Sequence, residues 1–279
     1  MLFKVRIVFL VIGFSLISNL SFAADTTVST ALTSSDDAIT MGSNDTVTIT
    51  SSGSIIVNQN NNLGLIKLPG GTSNLTIINS GTLQVGKYYG VNDRGGEKNT
   101  IGASGDATNI TITNNGVIAA SESNAINLQA GEGNITIINN AGAMISARGN
   151  SSDAVINLNT AGSTTAGDII VTNAGTIQAL GAPHMPNNPV NTYSHHTLRI
   201  SNVTNGGTVT IDNSGTIEAG ACCTINLNGT TDPITLTNSG IIKVDTVGAI
   251  SGRYTTNLTI VNSGTITGAG TTWKNPKEP

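Results

Sequence analysis

The sequence predicts an all-β chain folded as a right-handed parallel β-helix of about eight coils, with three short strands per coil. Three observations carry this. A twelve-residue phrase recurs along the chain: NLTIINSGTLQV from Asn74, NITITNNGVIAA from Asn109, DIIVTNAGTIQA from Asp168, TVTIDNSGTIEA from Thr208, PITLTNSGIIKV from Pro233 and NLTIVNSGTITG from Asn257. Looser copies begin at Thr46 and at Asn134, the second with an extra residue before its glycine. The turn glycines Gly53, Gly81, Gly116, Gly142, Gly175, Gly215, Gly240 and Gly264 follow one another at 24 to 40 residues, the spacing of solenoids and arrays. Second, each copy alternates with period two before and after its turn, as strands with one face in a core must. Third, only 10% of residues are charged and 3% aromatic, a composition suited to slender strands joined by tight turns.

In chain order, residues 1–23 read as a Sec-type signal peptide. Lys4 and Arg6 precede an apolar stretch from Ile7 to Ile17, and Ser21-Phe22-Ala23 supplies a small-x-small cleavage site. The apolar run is shorter than the ~20 residues that a membrane-spanning helix needs, and no later segment supplies one. Residues 24–45 read as an N-terminal lead-in and cap, 46–268 as the β-helix repeats and 269–279 as a polar tail.

Within a repeat, Leu75 and Ile77, then Leu83 and Val85, are expected to point inward, with Thr76 and Gln84 outward. The same pattern buries Ile110 and Ile112, Val209 and Ile211, Ile234 and Leu236, and leaves Glu218 and Lys243 in water. The Asn-Ser-Gly corner predicts glycine in a positive-φ conformation. A third strand follows at GLIKL from Gly64, NAINL from Asn124, DAVINL from Asp153, TLRI from Thr197 and CTINL from Cys223. Stacking then aligns Asn79, Asn114, Asn139 or Asn140, Asn173, Asn213, Asn238 and Asn262 as a structural ladder, with Ser51 in its place in the first coil. It also aligns Thr48, Thr76, Thr111, Thr136, Thr210, Thr235 and Thr259 on an outer face, the arrangement expected of a threonine-array ice-binding surface. Eight coils at the strand spacing give a rod of about 40 Å.

The NSGTI phrase, repeated behind a Sec signal in a Gly/Asn/Thr-rich β-helix, resembles the passenger regions of bacterial autotransporters and related surface adhesins over about residues 46 to 268. The resemblance implies export, display at the cell surface by a C-terminal translocator barrel, and contact with host-cell or bacterial surface molecules, self-association included. Such a barrel needs some 12 amphipathic strands of about 10 residues, and GAGTTWKNPKEP after Thr267 is too short for one. The expectation is therefore a truncated or split passenger that is secreted, surface-bound or, without its translocator, periplasmic.

No catalytic motif is found, and no cofactor or metal is expected. The acids lie on different coils, whereas a polysaccharide-acting β-helix enzyme, the alternative reading, needs grouped carboxylates. His184, His195 and His196 lie in one interruption without carboxylate or cysteine support. A net charge of −4 offers no basic patch for nucleic acid. Cys223 fits an inward slot beside Cys222. The two interruptions, GKYYGVNDRGGEKNTIGAS from Gly86 and LGAPHMPNNPVNTYSHHT from Leu180, concentrate scarce aromatics and charges, and loops on rigid scaffolds commonly bind. Tyr88, Tyr89, Arg94, Tyr193, His195 and His196 are the candidate contacts.

Overall fold

The structure is a computed structural model that describes residues 21–22, 25–34, 39–57, 65–85, 99–121, 123–130, 133–147, 154–160, 167–180, 196–204, 206–220, 223–245 and 248–268. The described residues form only strands, turns and bends, with the strands arranged as three parallel sheets wound into a right-handed β-helix. Sheet 1 holds the first half of each phrase: Thr26–Val28, Thr46–Ile49, Ser73–Asn79, residues 110–114, Ile135–Asn139, Ile169–Asn173, Val209–Asn213, Ile234–Asn238 and Leu258–Asn262. Sheet 2 holds the second half, from Ala31–Ser34 to Thr265–Thr267. Sheet 3 carries the third strands, among them Ile66–Leu68, Ile126–Ala130, Ala154–Asn159, His196–Ser201, Ile225–Asn228 and Ile250–Ser251. Strand Ile101–Asn114 serves both sheet 3 and sheet 1, bending where the register shifts between Ala103 and Ala107.

Coil stacks on coil in register, so that Val209 lies beside Ile169 and Ile234, and Ile211 beside Val171 and Leu236. Every apolar residue expected to point inward is buried. Leu75, Ile77, Leu83, Ile112, Ile211 and Leu236 are wholly so, as are the third-strand pairs Ile66/Leu68, Ile126/Leu128, Ile156/Leu158, Leu198/Ile200 and Ile225/Leu227. β-Branched and leucine side chains fill this narrow interior, which removes them from water while leaving the outward partners to Thr, Asn and Gln. The segment before the first phrase is a coil in its own right. Thr26–Val28 pairs with Thr46–Ile49, Ala31–Ser34 with Ser54–Val57, and Ile39–Met41 with Ile66–Leu68.

The asparagine ladder runs inside the corner between sheets 1 and 2. Asn79 Nδ2 donates to Asn114 Oδ1, and the chain of amides continues through Asn139, Asn173, Asn213 and Asn238 to Asn262 at 2.7–2.8 Å. From Asn79 to Asn238 the rungs are at most 2% exposed. Each Nδ2 also donates to a sheet 2 carbonyl of the next coil, as Asn173 does to Thr216 O at 3.1 Å. Asn139 is the rung, while Asn140 lies outside and donates to Asn115 Oδ1.

Three details of this corner correct the sequence reading. Ile49, not Ser51, opposes Asn79, because four residues join sheets 1 and 2 in this coil where two suffice in most others. The same shift sets Thr46, rather than Thr48, beside Thr76, and places Thr48 against Ile78. Second, Gly142 is not in the glycine column. Its coil also has a four-residue corner, and Ala143 occupies the column while Gly142, at φ 80°, takes up the extra length. Third, the column glycines do not adopt positive φ. They are required by close approach. A Cβ on Gly81 would stand 2.0 Å from Gly53 O, and one on Gly116, Gly215 or Gly240 would stand 2.1 Å from the carbonyl oxygen of the column glycine before it.

Positive φ falls instead on the corner between sheets 3 and 1, at Asn44, Asn74 and Asn109. Those asparagines form a second, exposed ladder. Asn74 Nδ2 donates to Asn44 Oδ1 at 3.0 Å and Asn109 Nδ2 to Asn74 Oδ1 at 3.2 Å. Asn134 N donates to Asn109 Oδ1 and Asp168 N to Asn134 Oδ1, after which Asp168 accepts from Thr208 N and Oγ1. The corner between sheets 2 and 3 is tied differently. The hydroxyls of buried Thr100, Thr197 and Thr224 donate to Ala119 O, Glu218 O and Lys243 O in the next coil at 2.6–2.7 Å. Thr224 takes the inner position next to Ile225, and Cys223 is half-buried rather than in the core slot expected of it. Cys222 lies outside the described residues.

Candidate functional site

The three corners differ in how much chain they admit. Between sheets 1 and 2 the link is two or four residues throughout, whereas between sheets 2 and 3 it varies from four residues to fifteen after Val85 and sixteen after Ala179. Both interruptions singled out in the sequence therefore join the end of a sheet 2 strand to the start of a sheet 3 strand. Tyr88, Tyr89, Arg94, Tyr193 and His195 lie outside the described residues. His196 opens strand His196–Ser201 on sheet 3.

Sheet 3 presents an outward column at the middle position of its I-x-L strands, and register aligns Asn159, Ser201 and Asn228 in a shorter one beside it. Register places Lys67, Gly102, Asn127, Asn157, Arg199, Asn226 and Ser251 one after another along the rod. Asn157 Nδ2 donates to Asn127 Oδ1 at 2.9 Å. Asn226 Nδ2 lies 2.8 Å from His196 Nε2, and His196 Nδ1 lies 3.3 Å from Cys223 O. The tautomer with the proton on Nδ1 satisfies both, donating to the carbonyl and accepting from the amide. Between these two bonded pairs the column is unsatisfied. Asn157 Oδ1 and Arg199 Nε are buried atoms with no hydrogen-bond partner among the described residues, and they belong to adjacent coils.

Charge is segregated in the same way. The described strands of sheet 3 carry Lys67 and Arg199, with Arg253 following the last of them, and a single acid, Asp106, where strand Ile101–Asn114 shifts register. Lys243, on sheet 2, is instead paired at 2.6 Å with Glu218 of the preceding coil, whose hydrogen bond holds the ammonium pKa above its ordinary range. Three of the described carboxylates serve corners. Asp45 accepts from Gly42 N, Asp168 from Thr208, and Asp232 from Gly206 N and Gly207 N. Burial pushes the Asp45 carboxyl pKa up, the Gly42 bond opposes this, and the Asp25 charge adds to it.

At the edge of this face, Tyr254 is 68% exposed and sits at φ 61°, with Arg253 4.9 Å over its ring. The equivalent corner positions of the two preceding coils, Asn202 and Gly229, have φ of 59° and 65°. A left-handed backbone suits asparagine and glycine, whereas tyrosine adopts it at a cost.

Sequence reasoning put His196 within an interruption, whereas it opens strand His196–Ser201, and it passed over the Asn/Arg column and Tyr254. The column was marked by the middle residue of the third-strand triplets, IKL, INL, INL, LRI and INL. Among the described residues no helix is long and apolar enough to cross a membrane, and no three His, Cys, Asp or Glu side chains group as metal ligands. No family model, curated protein or solved structure matches the chain.

Proposed function

We propose that this chain is a secreted or surface-displayed β-helix protein of adhesin type, a passenger-like rod that touches surface molecules along sheet 3 and the edge beside it. The observation that carries this reading is the restriction of long insertions to the corner between sheets 2 and 3. A rigid stack with one edge open to insertion is a scaffold on which contacts can vary without disturbing the core. The N-terminal signal pattern supports export. The outer column of sheet 3 is polar and carries two cations, Lys67 and Arg199, which suits contact with polar or anionic surface groups.

Deletion of residues 182–194, which spares strand His196–Ser201 and the residue that follows Ala179, tests this reading. Adhesion of the purified protein to cultured host cells and to bacterial cells is expected to fall roughly fivefold or more, because contacts repeated along a rod reinforce one another. The thermal midpoint should stay within about 3 °C of the parent, as surface insertions contribute little to a solenoid core. Undiminished adhesion to both cell types would count against the assignment.

A further inference from the structure

We infer that the outward column of sheet 3 binds a carboxylated saccharide chain, lying along the rod with its acid groups on Arg199 and Lys67. This deepens the adhesin reading and rests on sheet 3 being the contact face. The argument begins with the two unsatisfied atoms. Arg199 Nε is a donor and Asn157 Oδ1 an acceptor, both buried, on neighbouring coils about 4.8 Å apart. A buried polar atom without a partner carries a desolvation cost, so a ligand group that satisfies it gains what the free protein lacks.

The two atoms ask for different chemistry from one ligand. Arginine offers its Nε–H together with a terminal N–H as a fork that matches a carboxylate. The Asn157 oxygen needs a donor, which a carboxylate lacks and a neighbouring hydroxyl supplies. A hydroxyl and a carboxylate within one coil spacing describe a uronic-acid-type sugar. A phosphodiester, which has no O–H, would leave Asn157 Oδ1 unpaired, and a neutral sugar would leave the guanidinium charge unmatched.

The rest of the column extends the same logic. Asn127, Asn157 and Asn226 present amides at the coil repeat, with the His196 ring hydrogen-bonded to the last of them. Gly102 presents no side chain between Lys67 and Asn127, and the Asn99 side chain lies over it, with Cβ and Nδ2 3.4 and 3.5 Å from where a Cβ would stand. Lys67 stands four coil steps from Arg199, roughly 19 Å, so the two cations read a chain of several sugars rather than one. The one acid on the described strands of sheet 3, Asp106, lies outside the column, so an anionic polymer laid along the column meets cations and amides in its own path.

The test uses the mature chain and three polymers measured by titration calorimetry: polygalacturonate, which has carboxylates and hydroxyls, dextran, which has hydroxyls alone, and polyglutamate, which has carboxylates alone. Binding is expected to polygalacturonate and to neither of the others. Arg199→Ala and Asn157→Asp should each weaken it about tenfold or more, the second by setting a carboxylate beside the bound acid. Lys243→Ala on sheet 2 should leave it unchanged. The two column variants are independent, and a native β circular dichroism spectrum in either one makes its result decisive. Absence of polygalacturonate binding, equal binding of dextran or polyglutamate, or unchanged binding in a folded column variant overturns the proposal. Cell adhesion that survives Arg199→Ala leaves the adhesin reading standing and removes only this one. Joint loss of adhesion and polymer binding supports both.

Discussion

Replacing Asn173 with alanine is expected to destabilise the protein by about 3 to 4 kcal/mol, while the same change at Asn262 costs under about 1 kcal/mol. Asn173 is wholly buried, and its side chain is used on both sides. Its Oδ1 accepts from Asn139 Nδ2, and its Nδ2 donates to Asn213 Oδ1, Thr216 O and Gly175 O. Truncation strands the Asn213 oxygen, weakens the hold on two carbonyls and leaves a polar hole in a dry corner. In a chain of hydrogen bonds each member polarises the next, so an interior rung is worth more than its pairwise bonds. Asn262 is exposed, and its amide donates to Gly264 O. Urea unfolding followed by circular dichroism reads the difference through the midpoint. Asn173→Asp sharpens the test by keeping shape while removing both N–H donors. It should be at least as damaging as alanine, because a buried carboxylate would then face carbonyl oxygens. Equal, small effects at Asn173 and Asn262 would mean that the ladder is ornamental.

Gly215→Ala is expected to cost about 3 kcal/mol or more, enough to prevent accumulation of folded protein. The added methyl would stand 2.1 Å from Gly175 O and 2.6 Å from Ala174 C, both backbone atoms held by the stacking bonds of the same corner. Relief requires prising two coils apart. Gly142→Ala is the matched control. Nothing lies within 4 Å of its added methyl, and its φ of 80° should cost about 1 kcal/mol. Thermal midpoints should rank parent, then Gly142→Ala, then Gly215→Ala. The reverse order would show that backbone conformation, not approach of coils, selects glycine there.

These two cases explain what could and could not be read from the sequence. Period-two alternation identified the buried set because it depends only on side-chain direction, and Leu75, Ile77, Ile225 and Leu227 are buried as their pattern required. The ladder was visible for a similar reason, since in-register stacking of a repeated phrase places like beside like. Register failed where corner length changed. Thr46 and Asn139 belong to coils with four-residue corners, and counting back from the glycine shifted the first by two positions and left the second ambiguous. Glycine itself signals either a left-handed backbone or a close neighbour, and only coordinates tell these apart. Sheet 3's polar column was harder to see, because the middle residues of its short strands differ from coil to coil and form a pattern only once the strands are stacked.

Disulfide trapping of neighbouring coils tests the stacked register most directly. In a Cys222→Ser, Cys223→Ser background, Thr210→Cys and Thr235→Cys place two outward thiols on adjacent coils, directly opposed on sheet 1. Their Cα atoms, about 4.8 Å apart, fall within disulfide range. Thr210→Cys with Thr259→Cys sets the thiols two coils apart, roughly 9.6 Å and beyond reach. Mild oxidation of the folded protein should cross-link the first pair nearly completely and the second not at all, read on non-reducing gels. Failure of the first pair to close in folded protein, or equal closure of both, would contradict parallel, in-register coils.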